Sequence, residues 1–207
     1  MKIVMLKVIE ALAKLGLEKL ERALLFGVLL VVALALATFS VKFSHLWFAF
    51  LFRWFHVLSG VMWIGLLWYF NFVQIPSMPK IPDEQKPAVG KVIAPAALFW
   101  FRWSALSTVV TGLILAGMNK YLLPALALGF FKGGPETYIG VGMWLGLLMA
   151  FNVWNIIWPN QRIVLGMVES SGDEKKAAAR IALLTSRLNT ALSIPLLYFM
   201  VIAQQPL

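Results

Sequence analysis

Residues 44–74, SHLWFAFLFRWFHVLSGVMWIGLLWYFNFVQ, decide how the whole chain is interpreted. Within this stretch only His45, Arg53 and His56 can carry a full or switchable charge. As a helix rising ~1.5 Å per residue, the stretch is longer than the ~30 Å hydrocarbon core of a bilayer. It therefore predicts a membrane span, which we place at about 46–74.

The composition of the chain indicates the same class of protein. It is 61% hydrophobic and 13% charged, with 9 Trp and 15 Phe, and a soluble domain would leave too much of that apolar surface in water. The net charge of +9 does not indicate nucleic-acid binding, because membrane proteins collect Lys and Arg in cytoplasmic loops. The absence of Cys excludes disulfides, cysteine-ligated iron–sulfur clusters and covalently attached c-type haem.

The hydropathy pattern predicts an all-α integral membrane protein, a bundle of about five transmembrane helices. The predicted spans of this bundle, which occupies 23–207, are about 23–40, 46–74, 92–118, 138–158 and 181–203. Residues 1–22 carry charges every three or four positions and predict an amphipathic helix at the membrane surface, supported by Glu10–Lys14 and Glu18–Arg22 pairs. A cleaved signal peptide, with its site near Ala35 and Ala37, is the alternative interpretation of this end.

Prolines and polar runs predict the connections. Pro76, Pro79, Pro82 and Pro87 predict a loop after the second span, and Pro159 predicts the end of the fourth. The apolar segment 121–131 is too short to cross and predicts an interfacial or re-entrant piece. The run SSGDEKKAAAR at 170–180 predicts a polar connector before the last span.

The distribution of Lys and Arg predicts the orientation of the spans. With the N-terminus in the cytoplasm and the C-terminus outside, nearly all basic residues near span ends fall on the inner side. This orientation places His56 in the outer half of the bilayer and the sequence WPNQR, 158–162, at the inner rim.

Three segments carry a family resemblance: 56–76, 99–112 and 151–161, of which NVWNIIWPNQ is the most specific. They resemble the membrane domain of bacterial cytochrome-c-type urate oxidases, the urate oxidase N-terminal or urate hydroxylase family, here without the cytochrome c domain. The resemblance implies a protein of the bacterial inner membrane that works with another membrane subunit or a separate cytochrome. The motif residues it carries over are His56, Trp63, Arg102, Trp103, Asn152, Trp158, Pro159, Asn160 and Gln161.

His56 is the candidate axial ligand for the iron of a b-type haem. Imidazole is the usual haem ligand, and the surrounding Trp and Phe residues, Trp63 among them, could enclose a porphyrin. His45 lies eleven residues away, ~16 Å along a helix, so the two histidines cannot share an iron. The second ligand would be a Met, an Asn, a water or a group of another subunit. The alternative role for His56 is a neutral histidine bonded to a neighbouring helix.

Two arginines are candidates for binding haem propionates or an anionic substrate. Arg53 shares a helix side with His56, and snorkelling to lipid headgroups is the alternative for both arginines. Arg102 is mid-bilayer if its span starts at Val92 and interfacial if the span starts near Trp103.

A polar cluster is also predicted. Ser104, Thr108 and Thr111 share one face of the third span, and Asn152 and Asn155 could close a pocket against it, with Asn160 and Gln161 at its inner end. Hydrogen bonding between helices is the alternative for these residues.

Two functions remain open from the sequence. One is a membrane redox protein with haem b at His56, passing electrons to or from a cytochrome or partner enzyme. The other is a cofactor-free accessory subunit that scaffolds a larger membrane complex. A transporter is a weaker third, because no inverted repeat is visible.

Overall fold

The computed structural model describes residues 2–14, 16–38, 43–130 and 134–204. These residues form helices and turns, and no strand occurs among them. They divide into two compact units, Met1–Trp47 and Phe48–Leu207. The predicted division after Arg22 concerns position relative to a membrane and stays a prediction.

The described residues of the first unit contain two complete helices, where the sequence predicted a surface helix over 1–22 followed by a span at about 23–40. Helix α1 runs over Lys2–Lys14 and helix α2 over Leu20–Thr38. Gly16 lies between them with φ of 71°, a left-handed conformation that glycine adopts without strain. Glu18 falls in this turn, so the expected Glu18–Arg22 pair does not lie within one helix. Helix α2 covers the first predicted span up to Thr38, and residues 39 and 40 lie outside the described residues.

The described residues of the second unit form four long helices and one short one. Helices α3 (His45–Lys80, which starts in the first unit), α4 (Lys86–Met118) and α6 (Pro135–Val164) are longer than predicted. Helix α5 is Leu122–Leu126, within the segment predicted to be interfacial, and α7 is Gly172–Ile202. Phe131, the predicted end of that segment, lies outside the described residues.

Four helices of the described chain, α2, α3, α4 and α6, are long and apolar enough to cross a membrane. Helix α7, which contains the fifth predicted span, is not among them, since polar residues such as Arg187, Asn189 and Ser193 lower its mean hydropathy. The all-helical prediction is confirmed, and the count of five spans stays a prediction.

Three of the prolines inside long helices, Pro76, Pro95 and Pro159, share one local structure, and the sequence predicted a break at Pro76 and at Pro159. A π-helical segment ends two residues before each one: Tyr69–Gln74 before Pro76, Val89–Ile93 before Pro95, and Asn152–Ile157 before Pro159. The residue preceding each proline donates its N–H five residues back, as Ile75 does to Phe70. This wider turn moves away the carbonyl with which the proline ring would clash. The helices therefore continue past Gln74 and Pro159, where the sequence predicted that the spans end, and the bounds of the membrane spans stay predictions.

The predicted polar connector 170–180 is also mostly helical, because α7 begins at Gly172. Ser171 and Glu174 form a capping box, in which each side chain accepts from the other residue's backbone N–H at 3.2 and 2.7 Å. Such a box satisfies two of the amide groups that a helix start leaves unpaired. A serine followed three residues later by glutamate was the signal for this start.

The helices of the second unit pack around an apolar core, and two glycines of α6 lie against α7. The core includes Trp63, Leu67, Phe101 and Met149. Gly142 and Gly146, whose four-residue spacing permits close helix approach, face Met200 and Leu196 of α7.

Candidate functional site

A cavity of about 590 Å³ lies between α3, α4, α6 and α7. Its wall is mainly apolar, and it receives Arg53, His56 and Trp63 from α3 and Thr108 from α4. Its exposed lining residues include Val57 and Val61 of α3 and Val201 of α7, so the cavity opens sideways between these two helices. This size is ordinary for a small-molecule or cofactor pocket.

His56 is fixed in this cavity by the backbone of α4. Its Nδ1 lies 2.8 Å from the carbonyl oxygen of Thr108. A carbonyl oxygen can only accept, so Nδ1 carries the proton, and Nε2 of the neutral ring keeps its lone pair. Nε2 has no hydrogen-bond partner among the described residues. The histidine is thus oriented through one nitrogen, and the other is available.

Gly112 provides the space for this ring. A Cβ added at Gly112 would lie 2.8 Å from Cε1 of His56, closer than carbon atoms approach one another. Gly112 follows Thr108 by four residues and so lies on the same face of α4. The sequence analysis missed this residue, although its position on the predicted Ser/Thr face was a usable signal.

The hydroxyls of that face mostly bond to their own helix. Ser104, Thr108 and Thr111 donate to the carbonyls of Trp100, Ser104 and Ser107, four residues back, at 2.6 to 2.7 Å. The contact with α3 is made instead by the Thr108 carbonyl and by Ser107, whose hydroxyl lies 2.8 Å from that of Ser59.

Arg53 brings a positive charge to the His56 cavity. It lines the cavity one turn before His56, as the three-residue spacing predicts. Tyr121, just beyond the end of α4, lies near it: burial raises the pKa of the Tyr121 hydroxyl, and the charge of Arg53 opposes that shift. The cavity therefore joins an imidazole, a guanidinium and a phenol.

Two tryptophans of α3 line the cavity, and they differ in hydrogen bonding. Trp68 donates from Nε1 to Ser193 of α7 at 3.0 Å. Trp63 is 2% exposed, and its buried Nε1 has no hydrogen-bond partner in the part of the chain that the structure describes. A buried donor without an acceptor lowers the stability of the fold. Among the described residues that line the cavity, Trp63 is the one with such a donor.

Arg102 is not part of the cavity. Its guanidinium lies 3.7 Å from the ring centroid of Trp158 and 5.7 Å from that of Phe99, and Trp154 donates to its backbone carbonyl. The structure therefore separates the two arginines that the sequence treated alike.

The predicted polar pocket of asparagines against the Ser/Thr face does not form. Asn152 is buried and donates to Asn189 of α7 at 2.8 Å, whereas Asn155 is exposed and bonds to its own helix at Phe151. Asn160 bonds in the same way to Ile156, and Gln161 lies in the last turns of α6. None of these four residues lines the His56 cavity, whereas Thr108 does.

The site also contains residues that the sequence did not single out. Asn71 donates to Ser186 of α7 at 2.8 Å, and Met143 and Met200 line the cavity. Among the residues that the structure describes, no three His, Cys, Asp or Glu side chains are grouped so that they could hold a metal ion.

These features define an all-helical protein of the membrane type with an apolar cavity around one oriented histidine. The family model described as urate oxidase N-terminal matches residues 127–207, which supports membership of the chain in that family. The matched part contains the NVWNIIWPNQ motif; the resembling segments 56–76 and 99–112 lie before it. No curated protein and no solved structure matches the chain.

Proposed function

We propose that the chain is a membrane redox protein in which His56 binds the iron of a b-type haem. The observation that carries this proposal is the hydrogen bond from His56 Nδ1 to the Thr108 carbonyl. It fixes the ring and leaves Nε2 with its lone pair beside a 590 Å³ cavity. Histidine ligands are typically oriented in this way by a bond from the other ring nitrogen. A bound haem supplies one-electron exchange between its ferric and ferrous states.

The other residues of the cavity fit this cofactor. Gly60, Gly112 and Gly146 keep the walls thin, and Trp63 and Trp68 present flat aromatic surfaces. Arg53 supplies a cation for the propionates. Arg102 has no such role, because it lies outside the cavity.

We infer candidates for a second haem ligand from the side chains that line the cavity. His45 is excluded by its distance along α3, and the asparagines considered from the sequence do not line the cavity. Met143 and Met200 do line it, and thioether sulfur is an established partner of histidine on haem iron. A methionine that held the haem together with His56 would raise its reduction potential, which would suit electron exchange with a cytochrome.

The test is a reduced-minus-oxidised spectrum of the detergent-purified protein, with haem determined per chain. We expect a b-type spectrum that His56→Ala abolishes and His45→Ala preserves. If both variants give the same yield of purified protein and the same helical circular dichroism spectrum as the wild type, the substitutions do not affect folding. A featureless wild-type spectrum after expression with added haem, or an unchanged spectrum in His56→Ala, would refute the proposal.

An accessory subunit of a larger membrane complex is the second candidate function. The exposed aromatic surface around Arg102 favours it, since such a surface on a membrane helix fits contact with another protein. The proposed location for both functions is the bacterial inner membrane, with the N-terminus cytoplasmic and the C-terminus periplasmic. Because the chain has no Cys, single cysteines at Lys120 and Lys175 would test that orientation by labelling from the outside. Reagent that cannot cross the membrane should label position 120 and spare position 175.

A further inference from the structure

Arg102 lies near the middle of the predicted span 92–118, so we expect lipid chains to cover the surface of the second unit around it. This surface consists of Phe99, Arg102, Trp103, Asn155 and Trp158, and we call it the Arg102 surface. Arg102 lies sixteen residues from each end of α4, so about 24 Å of helix separates it from either end. A charged group near the bilayer centre is costly and normally has a partner.

Within the described part of the chain, Arg102 has only aromatic partners. Its guanidinium stacks on Trp158 at 3.7 Å and lies near Phe99, and no carboxylate forms an ion pair with it. Stacking covers one side of the planar group and leaves its N–H donors without an anionic acceptor.

Neighbouring residues extend the same surface. Trp103, which is 45% exposed, packs edge-on against Trp154, and Asn155 is the next residue of α6. Asn155 is exposed, and its amide nitrogen is used by its own backbone, so its side-chain oxygen is still free to accept. Tryptophan and arginine together are typical of the centre of protein interfaces.

The chain itself offers no anion for this surface. Eight of its nine acidic residues lie in loops, turns or the first turns of helices, and the ninth, Glu10, lies in α1, which is not among the four described helices that are long and apolar enough to cross a membrane. Residues 23–37 of α2 contain no polar side chain. A second copy of the chain has the same composition, so it could not place a carboxylate at the depth of Arg102.

We propose that the Arg102 surface binds a transmembrane helix of a different protein that carries an Asp or Glu within the membrane. The carboxylate pairs with the unstacked N–H groups of Arg102, and a donor on the same helix pairs with the Asn155 oxygen. Charge complementarity carries this assignment, and it does not depend on haem at His56.

The test uses the full chain in phosphatidylcholine vesicles, labelled at Lys175→Cys, which is specific because the natural chain has no Cys. The probe is a labelled polyleucine transmembrane peptide with one central Glu, compared with the same peptide carrying Gln. We expect energy transfer to show at least several-fold tighter binding of the Glu peptide. Arg102→Leu should abolish that preference, whereas Arg102→Lys and the control Arg162→Leu should keep it.

Three results would overturn the proposal. Equal binding of the Glu and Gln peptides to the wild-type chain would do so without any variant, and this comparison stays valid if Arg102→Leu fails to fold. Loss of the preference in phosphatidylglycerol vesicles would show that lipid phosphate occupies the site. Energy transfer between two labelled copies of the chain, displaced by neither peptide, would show that the surface is a self-association interface. None of these outcomes bears on the haem spectrum that tests the proposed role of His56.

Discussion

The side-chain amide of Asn152 donates a 2.8 Å hydrogen bond to the side-chain oxygen of Asn189, and both residues are buried. Asn189 in turn donates to the carbonyl of Met149, 3.0 Å away. One α7 side chain thus satisfies both a side chain and a backbone group of α6. The pair Asn152–Asn189 thus joins α6 and α7 through buried polar atoms.

Replacing Asn189 by Leu should therefore destabilise the protein. The change leaves the Asn152 side-chain amide without its acceptor and removes one of the donors to the Met149 carbonyl, and we expect a loss of about 1–2 kcal/mol. Unfolding by detergent titration measures it. Asn155→Leu is the matched control, because Asn155 is exposed and bonds only to its own helix, and its effect should be smaller. Equal losses in both variants would contradict the interhelical role of the pair.

The two tryptophans of the cavity should respond differently to loss of the indole N–H. Trp68→Phe removes the bond to Ser193 and should cost about 1 kcal/mol beyond the lost ring volume. Trp63→Phe removes a buried donor that has no acceptor among the described residues, so its cost should be limited to ring volume. Thermal unfolding of the haem-free protein makes the comparison. A larger loss for Trp63→Phe than for Trp68→Phe would show that Trp63 has a partner.

Gly112→Ala should disturb His56 without altering any polar group. The new methyl would lie 2.8 Å from Cε1 of His56, so the ring must turn and its bond to Thr108 must lengthen. We expect several-fold less haem per chain in the difference spectrum. Gly117→Ala on the same helix is the control, because nothing lies within 4 Å of its added Cβ. Full haem content in Gly112→Ala would argue against the orientation of His56 described above.

The start of α7 should make stability dependent on pH in the acid range. Bonds from the backbone and side chain of Ser171 lower the pKa of Glu174 below its ordinary 4.5, so the folded state favours the carboxylate. This contribution is fully present above pH 4.5 and disappears as the pH falls through the lowered pKa. Glu174→Gln should reduce the melting temperature at neutral pH and converge with the wild type in acid. Glu169→Gln is the control for removal of a nearby charge. If the difference in melting temperature between the wild type and Glu174→Gln became larger in acid, the predicted direction of the pH dependence would be wrong.

The sequence predicts the parts of this structure that depend on local pattern. The length of the apolar segments predicts the helices, and the three-residue spacing of Arg53 and His56 correctly places both in one cavity. The hydroxyl row of α4 follows from a spacing of three and four. Each of these depends on one helix alone.

Features that depend on neighbouring helices could not be predicted from the sequence. The pairing of Asn152 with Asn189 rather than Thr108 depends on how α7 packs against α6. Arg102 has the same residue type and a similar setting in the sequence as Arg53, and only the position of Trp158 distinguishes them. Pro76 and Pro159 were misleading because a π turn removes the clash that normally ends a helix.

Those π turns have a consequence for comparing this chain with related ones. Each acts as a one-residue insertion, which rotates every later side chain by roughly 100° relative to an uninterrupted α-helix. A helical wheel drawn through Gly146 and Gln161 therefore puts the two residues on the wrong relative faces. A relative that lacks Pro159 would need one residue fewer between 152 and 157 to keep its downstream side chains in register. Gaps of one residue at these three positions are then a structural signature, and an alignment that forbids them would misplace the end of each span.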